Sequence, residues 1–369
     1  MPSSISSSDV TPHPGLARAR EVLGHLGTGW RLVLLALVLT LALGEAYLRL
    51  PVVLPRLEFE PDRELDARVA PSQRGFLWLA NMSMRTPPIT VNREGHRGAE
   101  DNWTRPVILV VGDSEWFGAG VEDEEVWPRV LERRLNSPPR RPPVHVVNAS
   151  QPGYGPYHQS VVIDRLLAHH PVDVLVVRVS IAQWSFRPVP EAERDARMAA
   201  AERRAALRRW TRLLPFLANK AEAQLPSIRA AFVPAALRRH RGGDDDLPER
   251  MGPIMAAEAA PSWRRIIERA ETGGTTVLFV IHEPIPGPSA VVLENALRAL
   301  TAGHPDAHVT RLGPDAFGLD PAAPVLELRR ELRARLTVGR DPHANARQHQ
   351  LIAQAVAGAL SALDVPALR

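Results

Sequence analysis

Val107-Ile108-Leu109-Val110-Val111, followed at once by Gly112-Asp113-Ser114, is the stretch that decides the fold. The apolar run is continuous and bounded by Pro106 and Gly112. A strand with one wet face alternates apolar and polar residues, whereas a strand buried on both faces does not. The run therefore predicts a central strand of a parallel sheet. Similar runs recur at residues 144–147, 172–181, 275–281 and, more weakly, 307–312. Helical patterns separate them: Val130, Leu131 and Leu135 behind Pro128; Val161, Ile163, Leu166 and Leu167; Val291, Leu293, Leu297 and Leu300; and Leu351, Ile352, Val356, Leu360 and Leu363. Pro128 suits a first helical turn, and Asp123, Glu124 and Glu125 lie at the positive end of that helix. Strands alternating with helices at this pace predict an α/β fold, a doubly wound parallel sheet of about five strands. In such sheets the site lies beyond the C-terminal strand ends.

Ser114 leaves the first of these strands at that edge. Gly112 permits a sharp turn with an unusual backbone angle. A Ser after Gly-Asp is usually a turn or cap residue, so the tripeptide alone says little. A nucleophilic serine needs a base, and the base needs an orienter. Asp341-Pro342-His343, before the last helix, offers both: a carboxylate to accept Nδ1–H and an imidazole whose Nε2 can take the Ser114 proton. The same residues are compatible with a plain helix start, Asp341 capping it and His343 passive in its first turn. Acyl transfer also needs donors for an oxyanion. Gly153, in Asn148-Ala149-Ser150-Gln151-Pro152-Gly153 after the second strand, can expose a backbone N–H. Gln183, at the end of the third strand, carries a side-chain amide. Their plain readings are a Pro-Gly turn and a surface Gln.

Together these residues resemble the SGNH/GDSL hydrolases, in particular the bacterial membrane-anchored type, from about residue 90 to the C-terminus. The first block is Val110-Val111-Gly112-Asp113-Ser114 with Gly118 and Gly120, the second Asn148 and Gly153, and the last Asp341, His343 and Asn345. Upstream, Val91-Asn92-Arg93-Glu94-Gly95-His96-Arg97-Gly98 is similar to an Asn-x-x-Gly-Phe-Arg stretch that often precedes this domain. The resemblance implies a flavodoxin-like sheet, Ser114 as nucleophile, His343 as base and Asp341 as orienter. It implies an oxyanion hole from the N–H groups of Ser114 and Gly153 and an amide of the third block. That block usually reads Gly-Asn-Asp, and here it reads Ala182-Gln183-Trp184; Gln keeps the amide but moves it by a methylene. A Gly common near the end of the last block is absent, with Gln348 in that region.

The rest of the chain sets the context. Residues 32–44 are an uninterrupted apolar run, and a helix over residues 31–53 would be about 34 Å long at ~1.5 Å per residue, enough to span a bilayer. Glu45 and Arg49, four apart, can neutralise each other at the outer interface. Arg18, Arg20 and Arg31 precede the run and favour an N-in orientation, with Arg49 and Arg56 working against them. A cleaved signal peptide and a buried soluble helix are the alternatives; no clear small-x-small cleavage site is present. The expected organisation is a disordered cytoplasmic tail (1–29), a transmembrane signal anchor (30–53), a stalk or linker (54–104) and a hydrolase domain (105–369). A helical insertion over about 187–262 carries Arg203, Arg204, Arg208, Arg209 and Arg212. These form either a solvated charged face or a contact for anionic headgroups or an acidic glycan.

Composition narrows the classes. The 369 residues carry a formal charge of +4 and no Cys, which removes disulfides, Cys-zinc sites and a thiol nucleophile. Basicity is spread without an aromatic-interleaved motif, so no nucleic-acid partner is expected. The His residues lack metal-ligand spacing, and His169-His170 reads as a polar helix end. Gly118-Ala119-Gly120 is too short for a nucleotide loop. No cofactor and no metal are expected. Trp116, Phe117 and Trp184 are either core or an apolar wall of the site. The sequence thus predicts a single-pass, cytoplasmic (inner)-membrane serine esterase facing the periplasm or exterior. It would hydrolyse or transfer O-acyl groups, with acylated cell-envelope or exopolysaccharide glycans as substrates. The alternative is a catalytically impaired glycan-binding or scaffold protein on the same fold.

Overall fold

The computed structural model describes residues 14–48, 57–77, 86–104, 106–137, 142–180, parts of 191–199, 247–285, 287–339, 341–363 and 365–368. Two units are distinguished: one contains the N-terminal helix, the other Leu54–Leu207 and Pro226–Arg369.

The first unit holds helix α1, Pro14–Leu48. The tail read as disordered over 1–29 is therefore helical from Pro14. Pro is favoured at a first helical position, and extending a formed helix backwards is cheap once the apolar segment has nucleated it. Arg49–Val53, counted with the helix in the sequence, lie outside the described residues. Within α1, Gly29–Tyr47 is a 19-residue segment of mean hydropathy 1.7, long and apolar enough to cross a membrane. Its side chains face outward: Leu32 and Leu34 are 62% exposed and Leu43 70%.

The second unit opens with two short hairpins where a stalk was expected. Strand β1 (Phe59–Asp62) pairs antiparallel with β2 (Asp66–Val69), and β3 (Gln73–Gly75) with β4 (Ile89–Val91). Leu57, Val69, Leu77, Ile89 and Val91 are buried with Phe117 and Ala119 in one apolar cluster. This stretch is thus part of the domain, packed on the loop that follows Ser114. Strands of three or four residues are too short to leave a periodic signal in sequence.

The central sheet is made of β5 (Val107–Val111), β6 (His145–Asn148), β7 (Val174–Val179), β8 (Thr276–His282) and β9 (Ala307–Leu312). All pairs are parallel, and the spatial order is β6-β5-β7-β8-β9. The doubly wound, flavodoxin-like arrangement is therefore present, on the runs that the sequence singles out. Side chains alternate between two cores. Leu109, Leu175 and Phe279 face one, closed by α4 (Pro156–His169), α5 (Leu247–Gly273) and α6 (Pro288–Thr301). Ile108, Val176 and Leu278 face the other, closed by α3 (Trp127–Leu135), α7 (Val325–Arg335) and α8 (Ala346–Ala362). Burying both faces is why the strands read as continuous apolar runs.

The insertion expected to end near 262 ends earlier. Residues 247–262 belong to α5, whose Met255, Ala259 and Trp263 are buried in the first core. Pro253 and Pro261 lie inside that helix, and they mask it in sequence because proline normally breaks a helix interior. Burial against α4 and α6 outweighs the lost hydrogen bonds. Most of the insertion, including Arg203, Arg204, Arg208, Arg209 and Arg212, lies outside the described residues.

Candidate active site

The sheet order places a crevice beside β5. From that strand the chain crosses to β6 on one side and then to β7 on the other, and such a switch opens a site at the C-terminal strand ends. Ser114 begins the short helix α2, Ser114–Phe117, immediately after β5. Asp113 is its N-cap, and its Oδ1 accepts the Glu115 N–H at 3.1 Å. Gly112 is needed for a different reason than the sequence suggests. It is not among the glycines of positive φ; instead a Cβ there would lie 2.8 Å from Cβ of Trp116. The tight folding of α2 back over the strand end requires the missing side chain.

His343 arrives from the far end of the chain. It lies on β11 (Asp341–Ala344), which pairs antiparallel with β10 (Thr337–Val338) and leads into α8. Its Nε2 is 2.9 Å from Oγ of Ser114, across 229 residues of sequence. The reading of this segment as a plain helix start is corrected. Asn345 is the N-cap of α8, its Oδ1 accepting the Gln348 N–H at 3.0 Å. The Asn345 amide also donates to the carbonyls of Arg335 and Thr337 at 3.0 and 3.3 Å, fastening the hairpin that carries His343. Asp341 lies on the same strand, and its side chain lies outside the described residues. Gly120 lets the hairpin close in, since a Cβ there would meet Val338 Cγ2 at 2.5 Å and the Ala344 carbonyl at 3.2 Å.

The second block sits at the end of β6. Asn148 donates from its amide to the Trp116 carbonyl at 3.2 Å and accepts the Ser150 N–H at 3.2 Å. Gln151 ties this loop in place: its N–H reaches the Gly112 carbonyl at 3.1 Å, and its amide reaches the Gly95 carbonyl at 2.7 Å. Gly153 has φ +85°, a left-handed conformation that favours glycine, and a Cβ there would meet nothing within 4 Å. Gln183 and Trp184 lie outside the described residues. Trp116 and Phe117 are fully buried, Trp116 edge-on to Trp127 at 4.6 Å, so both are core.

Several residues that sequence reasoning missed surround this point. Arg97 is buried and forms an ion pair with Asp123 at 3.1 Å. It donates to the carbonyls of Phe117 (3.0 Å), Gly118 and Val121, clamping the loop that follows Ser114. Burial lowers its guanidinium to about 10, against the raising effect of Asp123. Arg178, on β7, is buried and paired with both Asp113 and Glu115. Burial alone would lower its guanidinium, but the charges of Asp113, Glu115 and Glu283 outweigh it and hold it above the ordinary value. A lone Arg inside the apolar run 172–181 was the signal for this residue. His282, at the end of β8, is 3.6 Å from Glu115 through Nδ1 and 3.3 Å from the Gln348 amide through Nε2. Burial, then the Arg178 charge, hold it well below the ordinary histidine value.

His349 is fully buried and accepts the Trp127 N–H at 3.3 Å through Nδ1. Burial, then the charge of Arg97, push it down to about 3. Unfolded, it would titrate near 6.5. Between these values only the unfolded chain takes a proton, so stability is full above pH 6.5 and falls as pH drops. Thermal melts should show about 2 kcal/mol lost from this residue between pH 7 and pH 5. The His349→Asn chain should show a correspondingly shallower slope; an identical slope would refute the buried neutral imidazole.

Among the described residues, Glu94, His96 and Asp101 have ligand atoms within 4.8 Å of one another. They bond among themselves and to a neighbour: His96 Nδ1 is 2.6 Å from Asp101, and the Trp103 indole donates to Glu94 at 3.3 Å. His169 ends α4 and His170 caps it, as the sequence suggests, and His170 stacks on Trp103 at 3.9 Å.

No family model matches this chain, and no curated protein matches it in sequence. Several solved structures are similar. One is the psychrotrophic esterase EstA from Pseudoalteromonas sp., at 13% identity and TM-score 0.38, covering 69% of this chain and 97% of its own. A family two carbohydrate esterase from Cellvibrio japonicus is similar at 11% identity and TM-score 0.36, covering 70% and 61%. An acetyl xylan esterase from Butyrivibrio proteoclasticus is similar at 9% identity and TM-score 0.36, covering 73% and 67%.

Proposed function

We propose that this chain is a membrane-anchored serine esterase of the SGNH/GDSL type that hydrolyses or transfers O-acyl groups. The observation that carries the reading is the 2.9 Å approach of His343 Nε2 to Ser114 Oγ at the switch point of the sheet. Ser114 attacks the ester carbonyl carbon while His343 Nε2 takes its proton. The carbonyl oxygen becomes an oxyanion, received by the N–H groups of Ser114 and Gly153 and by the Gln183 amide. The intermediate collapses, the ester C–O bond breaks, and His343 returns its proton to the departing alkoxide. Water, deprotonated by the same imidazole, then attacks the acyl-enzyme and frees Ser114. A glycan hydroxyl in place of that water makes the reaction an O-acyl transfer. Asp341 orients the imidazole and stabilises its charged form.

A fluorophosphonate probe tests the reading, since it labels only an activated serine. Labelling of the full chain that disappears in Ser114→Ala supports it. No Ser114-dependent labelling and no ester cleavage would overturn it in favour of glycan binding without catalysis.

The anchor part of the proposal rests on the outward-facing apolar segment Gly29–Tyr47, about 28 Å long at ~1.5 Å per residue, against a hydrocarbon core of about 30 Å. With Arg18, Arg20 and Arg31 at the inner end, the catalytic domain faces the periplasm or exterior, where acylated envelope glycans or exopolysaccharides are the substrates. A reporter active only in the periplasm, fused at the C-terminus, should be active. Activity of a cytoplasm-only reporter at that position would reverse the topology.

A further inference from the structure

We infer that Arg178 is a positioning residue, whose buried bonds to Asp113 and Glu115 hold Ser114 at reacting distance from His343. This rests on the esterase reading above. Arg178 occupies the face of β7 where Val174 and Val176 enter the second core, and there a charge is costly. An apolar residue of the same volume would stabilise a core at least as well, so packing alone does not account for an arginine.

What the arginine provides is geometry. Its Nη1 bonds Asp113 and its Nη2 bonds Glu115, the residues on either side of the nucleophile. Asp113 in turn accepts the Glu115 N–H at 3.1 Å, so the backbone through Ser114 is held at both ends. A planar fork can hold two carboxylates at a set spacing, and a lysine cannot.

Packing continues toward the base. Glu115 lies 3.6 Å from His282 Nδ1, and the Gln348 amide lies 3.3 Å from His282 Nε2. The 3.6 Å approach of Glu115 is a packing contact, since His282 Nδ1 makes no hydrogen bond, while Nε2 meets the Gln348 amide. Gln348 stands in the first turn of α8, and its N–H is held by the Asn345 cap that also fastens the His343 hairpin. Two bonded groups therefore meet at Glu115 and His282: Arg178 with Asp113 and Glu115 around Ser114, and His282 with Gln348 and the hairpin that brings His343 to Ser114 Oγ. Of these residues only Ser114 and His343 touch the reacting atoms.

The test separates placement from folding. The full chain in detergent is reacted with a fluorophosphonate, and the labelling rate constant and final amplitude are read separately. A purely structural role lowers the amplitude and leaves the rate of the folded fraction unchanged. Misplacement of about 1 Å costs up to ~100-fold in rate, so Arg178→Lys should slow labelling by about tenfold or more at full amplitude. In ester hydrolysis kcat should fall with KM nearly unchanged. Gln348→Met removes the link to His282 without stranding a charge, and it should slow labelling in the same sense even if the arginine variants fold poorly. Folded Arg178→Lys and Gln348→Met chains labelling at the wild-type rate would overturn the inference. Absent labelling of the wild type would overturn the esterase reading and this one with it.

Discussion

Ser114→Ala should lower ester hydrolysis by about 10⁶-fold while leaving the fold intact. The hydroxyl is half-buried, begins a helix whose cap is Asp113 rather than itself, and bonds only toward His343 among the described contacts. Its loss should therefore move the melting temperature by no more than a surface-like change, about 0.5 kcal/mol. His343→Ala should cost about as much in rate, and the double variant no more than either one, because base and nucleophile act as a unit. Asp341→Asn should cost about 10⁴-fold by favouring the wrong imidazole tautomer. Steady-state hydrolysis of a short acyl ester, with melting curves for each variant, checks all of this. If the two single losses multiplied in the double variant, the 2.9 Å contact would not be a working acid–base pair.

The largest effect on stability is expected at Arg97. Its side chain is 1% exposed and meets one carboxylate and three backbone carbonyls. Removing one partner of a buried charge pair costs about 3–5 kcal/mol because the remaining groups lose their partner and are not rehydrated. Arg97→Ala should lie in that range, read from denaturant or thermal unfolding. Arg97→Lys should recover little, since a single ammonium cannot span Asp123 and the carbonyls of Phe117, Gly118 and Val121 together. Because those carbonyls belong to the end of α2 and the loop directly after it, the surviving folded Arg97→Lys chain should also show a lower kcat. Wild-type stability in Arg97→Ala would mean that water replaces the guanidinium.

These two residues mark how legible the molecule was. Ser114 stands out because a doubly buried strand writes itself as an unbroken apolar run, and a Gly-Asp-Ser at its end is visible against it. Strands β7 and β8 were legible for the same reason, their ends displaced by a residue or two, whereas edge strand β9, with a partly exposed face, gave only a weaker run. The hairpins of residues 57–77 and 86–91 were read as a stalk because so few apolar residues, spaced irregularly, carry no period. Helix α5 was hidden by two prolines that burial tolerates. Arg97 enters the sequence reading only as part of a pattern, and Arg178 not at all, although it is the one basic residue inside the run 172–181. Neither shows its partners in sequence, since Arg178 pairs with residues 63 and 65 positions away.

The sequence by itself determined the five sheet strands and four of the helices that flank them, the apolar segment near the N-terminus, and the candidates for nucleophile and base. It could do so because strand burial, helix periodicity and lipid-scale hydropathy are local properties, written within a few residues of one another. Tertiary structure decided which candidates meet. The order β6-β5-β7-β8-β9 sets the C-terminal ends of β6, β5 and β7 side by side, and the β10–β11 hairpin carries His343 across 229 residues to Ser114. It also decided that Gly112 is required by the approach of Trp116, and that buried charges need partners which only the folded chain supplies. Those are distances between elements remote in sequence, fixed by packing two cores against one sheet, and no local pattern encodes them.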